Sequence, residues 1–137
     1  MRTRSLPALT DGALDAMIAA KARDPQCWVN WHHFHGAATR VAPDDAAFGQ
    51  RREHFMVEII AGWKAGDDGA SQRRWAQDLL QSLAPFALPG GYPNFLAPDD
   101  REQVAEAYGG NAARLRALKR RFDPDGVFTS AIPLPEG

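Results

Sequence analysis

Cysteine is nearly absent from this chain of 137 residues: Cys27 stands alone, which excludes an internal disulfide and any multi-cysteine metal knuckle. Neither sign of charge is in excess, since 16 Lys and Arg face 17 Asp and Glu for a formal net charge of -1. The basic footprint of a nucleic-acid binder is therefore missing. No apolar run approaches the roughly 18 residues a membrane span requires. Met1 to Leu6 lacks the apolar core of a signal peptide, so the chain reads as cytoplasmic. Repeats and low-complexity segments are also lacking. What is present is a 45% hydrophobic composition, enough for one packed core whose stability rests on packing alone.

Thr10 precedes Leu14, Met17 and Ile18 at helical spacing, with Asp11 in the first turn, and predicts a capped helix over about 11 to 22. The run from Cys27 to Arg40 is aromatic and β-branched enough for a strand, with Gly36 as a bend. A second strand is expected over His54 to Ala61, with Phe55, Val57 and Ile59 on one face and His54, Met56, Glu58 and Ile60 on the other. Ser71 is expected to cap a helix whose stripe is Trp75, Leu79 or Leu80, and Leu83, ended by Pro85. A short extended piece, Gly91 to Phe95, leads to a weak helix capped by Asp99. Asn111 then caps a stronger one with Leu115, Leu118 and Phe122 on its inner face. Asp123-Pro124-Asp125-Gly126 reads as a turn, followed by an extended tail in which Phe128 anchors a returning strand. Helices following antiparallel strands imply an α+β fold, the sheet covered on one side by the Ser71 and Asn111 helices.

The C-terminal third, GGYPNF, then AYGGNAARLRALKRRFDPDGVF, then SAIPLP, resembles the segment that closes the berberine-bridge-enzyme-like FAD-linked oxidoreductases. Tyr108, Gly109, Asn111, Arg114, Leu115, Lys119, Phe122, Asp123, Pro124 and Phe128 fall in that family's spacing. Upstream, HGAATRVAPDDAAFGQRREHF is similar to the family's strand pair, so the resemblance covers roughly residues 27 to 135. It implies the second half of a substrate domain plus the C-terminal segment, a partial antiparallel sheet covered by helices. The expected organisation is a helical segment over 1–26, sheet and helix over 27–90 and the berberine-bridge-like segment over 91–137, in one compact domain. The family's flavin-binding domain has no counterpart before residue 27. FAD is therefore the cofactor by resemblance, and the isolated chain is not expected to bind it.

The resemblance also assigns site residues. Tyr92 and Asn94 match a Y-x-N segment that runs beside the isoalloxazine ring. The plainer alternative is that they satisfy local backbone around Pro93. Where many relatives carry a tyrosine base, this chain has Phe95, which has no ionisable group. The resemblance implies a glutamate base on the corresponding strand; it aligns nearer Met56 than Glu58, and Glu58 is the carboxylate there that remains a candidate base. Its competing reading is a glutamate on the wet face of a half-exposed strand. His35, His54 and Met56 are expected to face substrate. His33 and His35, two apart, have a spacing that can chelate a metal, but nothing completes a ligand set, and no metal site is expected. The chain is expected to act as the substrate-side part of a flavin oxidoreductase with a separate flavin-binding subunit. The alternative is a free-standing module that binds an apolar small molecule or a second copy of itself. A homodimer or hetero-complex is expected, anchored by Trp28, Trp31 and Phe34.

Overall fold

A computed structural model describes residues 1–134. The chain packs as two units, Met1–Phe34 with Glu53–Leu88, and His35–Arg52 with the segment from Pro89 onward.

The first unit contains β1 (Arg2–Leu6), α1 (Asp11–Arg23), β2 (Trp28–Phe34), β3 (His54–Ile60) and α2 (Ala70–Ser82). The strands form an antiparallel sheet in the order β1-β3-β2, with β3 in the middle. Val57 pairs with Arg4 on one side and Trp31 on the other, and Glu58 with Thr3 and Asn30. The expected pairing of the two central segments is thus present, and the fold is α+β. β2 is shorter than expected because Gly36, at φ 64°, turns the chain into a 3-10 turn over Gly36–Thr39.

One face of the sheet carries Leu6, Val57 and Ile59, which pack with Ala13, Met17 and Ala20 of α1 and with Trp75, Ala76, Leu79 and Leu80 of α2. Each large apolar side chain buried there contributes about 1.5–3 kcal/mol before entropy is counted. Thr10 caps α1 as expected, its hydroxyl accepting from the Ala13 amide at 3.4 Å. Ser71 does not cap α2. The N-cap is Gly69 at φ 62°, and the Asp68 carboxylate accepts from the Ala70 amide at 2.9 Å. A Cβ at position 69 would sit 2.5 Å from the Trp63 ring, so both conformation and space require glycine.

β1 was not anticipated. Its inward positions are Arg2, Arg4 and Leu6, so two arginines hide the alternation by which half-buried strands are recognised. Arg4 is buried nonetheless, its Nε donating to the Leu80 carbonyl at 3.3 Å.

The second unit holds α3 (Arg101–Ala105), α4 (Ala112–Phe122) and short 3-10 turns, including Pro93–Phe95 where an extended piece was expected. Its small core joins Leu96, Ala107 and Ile132. Several expectations fail here. α3 is preceded by Asp100 rather than Asp99, and the Asp100 carboxylate accepts from the Ala97 amide at 2.9 Å. Asn111 does not cap α4 through its side chain. Its amide donates instead to the carbonyls of Pro43 at 2.7 Å and Ala46 at 3.0 Å, tying down the 43–47 segment. Finally, α4 buries none of its residues: Leu118 is 41% and Phe122 70% exposed, so the expected inner stripe is not covered. Nor does Phe128 anchor a strand, being 77% exposed. The tail is held by Ile132, whose carbonyl accepts from the Tyr108 hydroxyl at 2.8 Å.

Candidate functional site

Alternation along β3 puts His54, Met56 and Glu58 on the face opposite the helices. The strand register fills out that face. Phe34 lies opposite His54, His32 opposite Met56, Asn30 and Thr3 opposite Glu58, and Trp28 opposite Ile60. The expected grouping of His54, Met56 and Glu58 is therefore present. His54 is buried and its ring stacks on Phe34 with centroids 4.9 Å apart. Met56 is half-buried.

Glu58 is the only carboxylate on the described part of this face, and it is buried. The wet-face reading of Glu58 is therefore not met. The Nε2 of His32 approaches its Oε1 to 3.2 Å, with the His32 side chain 62% and the Glu58 side chain 11% exposed. Asn30 stands beside this pair at the position directly across from Glu58. The sequence alone does not bring His32 to Glu58. The pairing runs diagonally across two strands whose connection is long, and no turn signature fixes their register.

His33 points to the helix side. It meets the Glu53 carboxylate at 2.8 Å and stacks on Phe55 at 4.4 Å between centroids. β2 ends at Phe34, one residue before His35. His35 belongs to the second unit and is exposed. Among the described residues no group of three or more His, Cys, Asp or Glu is arranged to hold a metal ion. Cys27 is buried, and burial pushes its thiol above the ordinary value, away from nucleophilic chemistry.

In the second unit Tyr92 and Asn94 are brought together, the Asn94 amide donating to the Tyr92 hydroxyl at 2.8 Å. This bond, rather than local backbone, engages both polar groups. The Tyr92 ring is held edge-on between Phe48 and Phe95, at 5.3 and 5.4 Å between centroids. Phe95 thus serves as packing for the tyrosine. Tyr92, Asn94, Phe48, Leu96, Tyr108 and Ile132 line a cavity of about 480 Å³. An aromatic wall with two phenols and one amide is a polar set that suits the edge of a flat, oxygen- and nitrogen-bearing ring.

The family described as berberine and berberine like matches residues 91–135. Two FAD-linked oxidoreductases of Bacillus subtilis strain 168 are similar to this chain. YgaK is 34% identical over 100 residues, 73% of this chain and 22% of its own length. YvdP is 32% identical over 108 residues, 79% of this chain and 23% of its own length. The BBE-like 1 protein of Physcomitrella patens shares the fold, with a TM-score of 0.83 at 23% identity over 99% of this chain and 31% of that one. The chain thus spans under a quarter of the length of these two bacterial relatives. No helix among the described residues is long and apolar enough to cross a membrane. The signature anticipated at the C-terminus, the strand pair and the shared fold converge: over residues 91–135 this chain carries the berberine-and-berberine-like segment, and over most of its length it is similar to part of larger FAD-linked oxidoreductases.

Proposed function

We propose that the protein supplies the substrate-side portion of a berberine-bridge-like FAD-dependent oxidation and works with a flavin-binding portion carried by a partner chain. One observation carries this reading: Glu58, a carboxylate buried on the central strand, faces away from the apolar core and has a single basic neighbour at hydrogen-bond distance. A carboxylate kept there at the cost of its hydration is a group with a chemical task. Glu58 takes the proton that the substrate gives up. Met56 and His54 shape the wall beside it. In the second unit, Tyr92 and Asn94 hold the edge of the flavin ring. When bound, FAD supplies the electron acceptor.

The partner-chain reading is supported by the outer edge of β2, where Trp28 and Trp31 are half exposed on a strand with no neighbour on that side among the described residues. The test is recovery of the chain from its native host followed by a flavin spectrum of whatever co-purifies, with Glu58→Gln assayed in the same complex. Flavin absorbance with turnover that falls at least 100-fold in the variant supports the assignment. Full turnover in Glu58→Gln removes Glu58 from the chemistry.

A second reading rests on the aromatic cavity of the second unit. A free-standing module would hold a small apolar ring against Tyr92, Phe48 and Tyr108. Saturable binding of a small aromatic compound that is lost in Tyr92→Ala, in a chain that never meets flavin, would favour this reading over the first.

A further inference from the structure

We propose that His32 is the positioning residue of Glu58 and its proton outlet: it orients the carboxylate through one ring nitrogen and hands the collected proton to solvent. This rests on the reading of Glu58 as the base.

A base that takes one proton per turnover must lose it before the next. Glu58 is poorly placed to do so alone, because only 11% of its side chain is exposed. His32 bridges that gap. Its Nε2 lies 3.2 Å from Oε1 of Glu58, while 62% of its side chain is exposed. One imidazole therefore touches both the enclosed carboxylate and bulk water. The register explains how. His32 stands across from Met56, one same-face step along from Glu58, so its ring reaches Glu58 on the diagonal and leaves the position directly opposite to Asn30. The other titratable group on this face, His54, is buried and stacked on Phe34.

The chemistry selects imidazole over other cations. An imidazole has an ordinary pKa near 6.5, so it both accepts a proton from a carboxyl group and releases it to water near neutrality. A lysine or arginine would hold its proton and form a static ion pair. In the step proposed, the O–H bond of protonated Glu58 breaks as an N–H bond forms on neutral His32. The imidazolium then gives a proton to water, which restores the carboxylate and the neutral ring. No electron moves in this relay.

Two measurements test it. In the chain itself, the NMR signals of the His32 ring should shift in Glu58→Gln, since its Nε2 lies 3.2 Å from the carboxylate. Unchanged ring signals mean that the two groups are not in contact and overturn the proposal. In the flavin-containing complex, His32→Ala should lower turnover by about 10- to 100-fold, with added imidazole restoring much of it through the exposed site. His32→Arg, which keeps a cation but cannot relay, should stay slow. Full activity in His32→Arg, or a slow His32→Ala that imidazole does not rescue, makes His32 a structural ion-pair partner and overturns the relay. If Glu58→Gln keeps full turnover, the base reading fails first, whatever His32 does. If Glu58→Gln is inactive and His32→Ala is unaffected, only the relay fails.

Discussion

The indole Nε1 of Trp75 on α2 donates a 2.7 Å hydrogen bond to the carbonyl of Ala20 on α1. Ala20 is in the last turn of its helix, where carbonyls have no partner within the helix. Trp75 therefore fills the core with its rings and satisfies a buried acceptor that packing alone would strand. Arg4 does the same for α2 by donating to Leu80. Trp75→Phe keeps most of the apolar volume but leaves the Ala20 carbonyl unpaired. The expected loss is about 1–3 kcal/mol, read as a lower urea midpoint with an unchanged slope.

The Asn111 amide gathers the carbonyls of Pro43 and Ala46. Asn111→Asp removes the donors and sets a negative charge against the same oxygens, so the 43–47 segment should loosen while the sheet unit is unchanged. Hydrogen exchange should rise in 43–50 and not in β3. Exchange in 43–50 equal to that of wild type would mean the segment is held by other contacts.

Asp123 links stability to pH. The Lys119 ammonium, followed by the Val127 and Phe128 amides, favours the ionised carboxyl and lowers its pKa below the ordinary 3.8. A carboxyl whose folded value is depressed contributes stability that is complete above the unfolded value. That contribution drains away as pH falls through the folded one. Wild type should therefore exceed Asp123→Asn in stability by a constant amount above about pH 5, and the gap should close in stronger acid. Urea midpoints of both proteins across that range check the sign.

Much of the first unit is readable from residue order, and the reasons are local. Thr10 before an amphipathic run marks α1, and Trp75, Leu79 and Leu83 mark the buried face of α2. The exceptions share a cause. Arg4 and Asn111 satisfy backbone groups 76 and 68 residues away, and no local pattern announces such partners. α4 misled for the opposite reason: its Leu115, Leu118 and Phe122 stripe is well formed, but periodicity shows that a face is apolar and does not say what covers it. The site shows the same division. The shared face of His54, Met56 and Glu58 follows from the two-residue period of a strand. The burial of Glu58 and its contact with His32 depend on register, which a long connection leaves open.

The isolated chain is expected to retain no FAD after desalting, because Tyr92 and Asn94 can address a ring edge but provide nothing for a pyrophosphate. Flavin bands that persist in the purified chain would refute this. In the flavin-containing complex proposed above, Phe95→Tyr should restore or raise turnover, since it sets an ionisable phenol at the position the resemblance assigns to a tyrosine base. A fall in turnover would mean that Phe95 is needed as packing for Tyr92, which it meets edge-on at 5.4 Å.

The last expectation concerns association. β3 is saturated on both sides, and β1, though at one edge, is almost entirely buried. β2 is different: its outer edge has no strand beside it among the described residues, and Trp28 and Trp31 are 52% and 50% exposed on its two faces. Half-exposed tryptophans along an open strand are the kind of anchors that stable interfaces bury, and an unpaired edge is a template for another strand. The chain should therefore sediment as a dimer or as part of a hetero-complex at micromolar concentration. Trp28→Lys, which sets a charge on that edge on the face opposite Val57 and Ile59, should shift it to monomer. If wild type and variant sediment alike as monomers, the edge is closed by the chain itself and the partner reading fails with it.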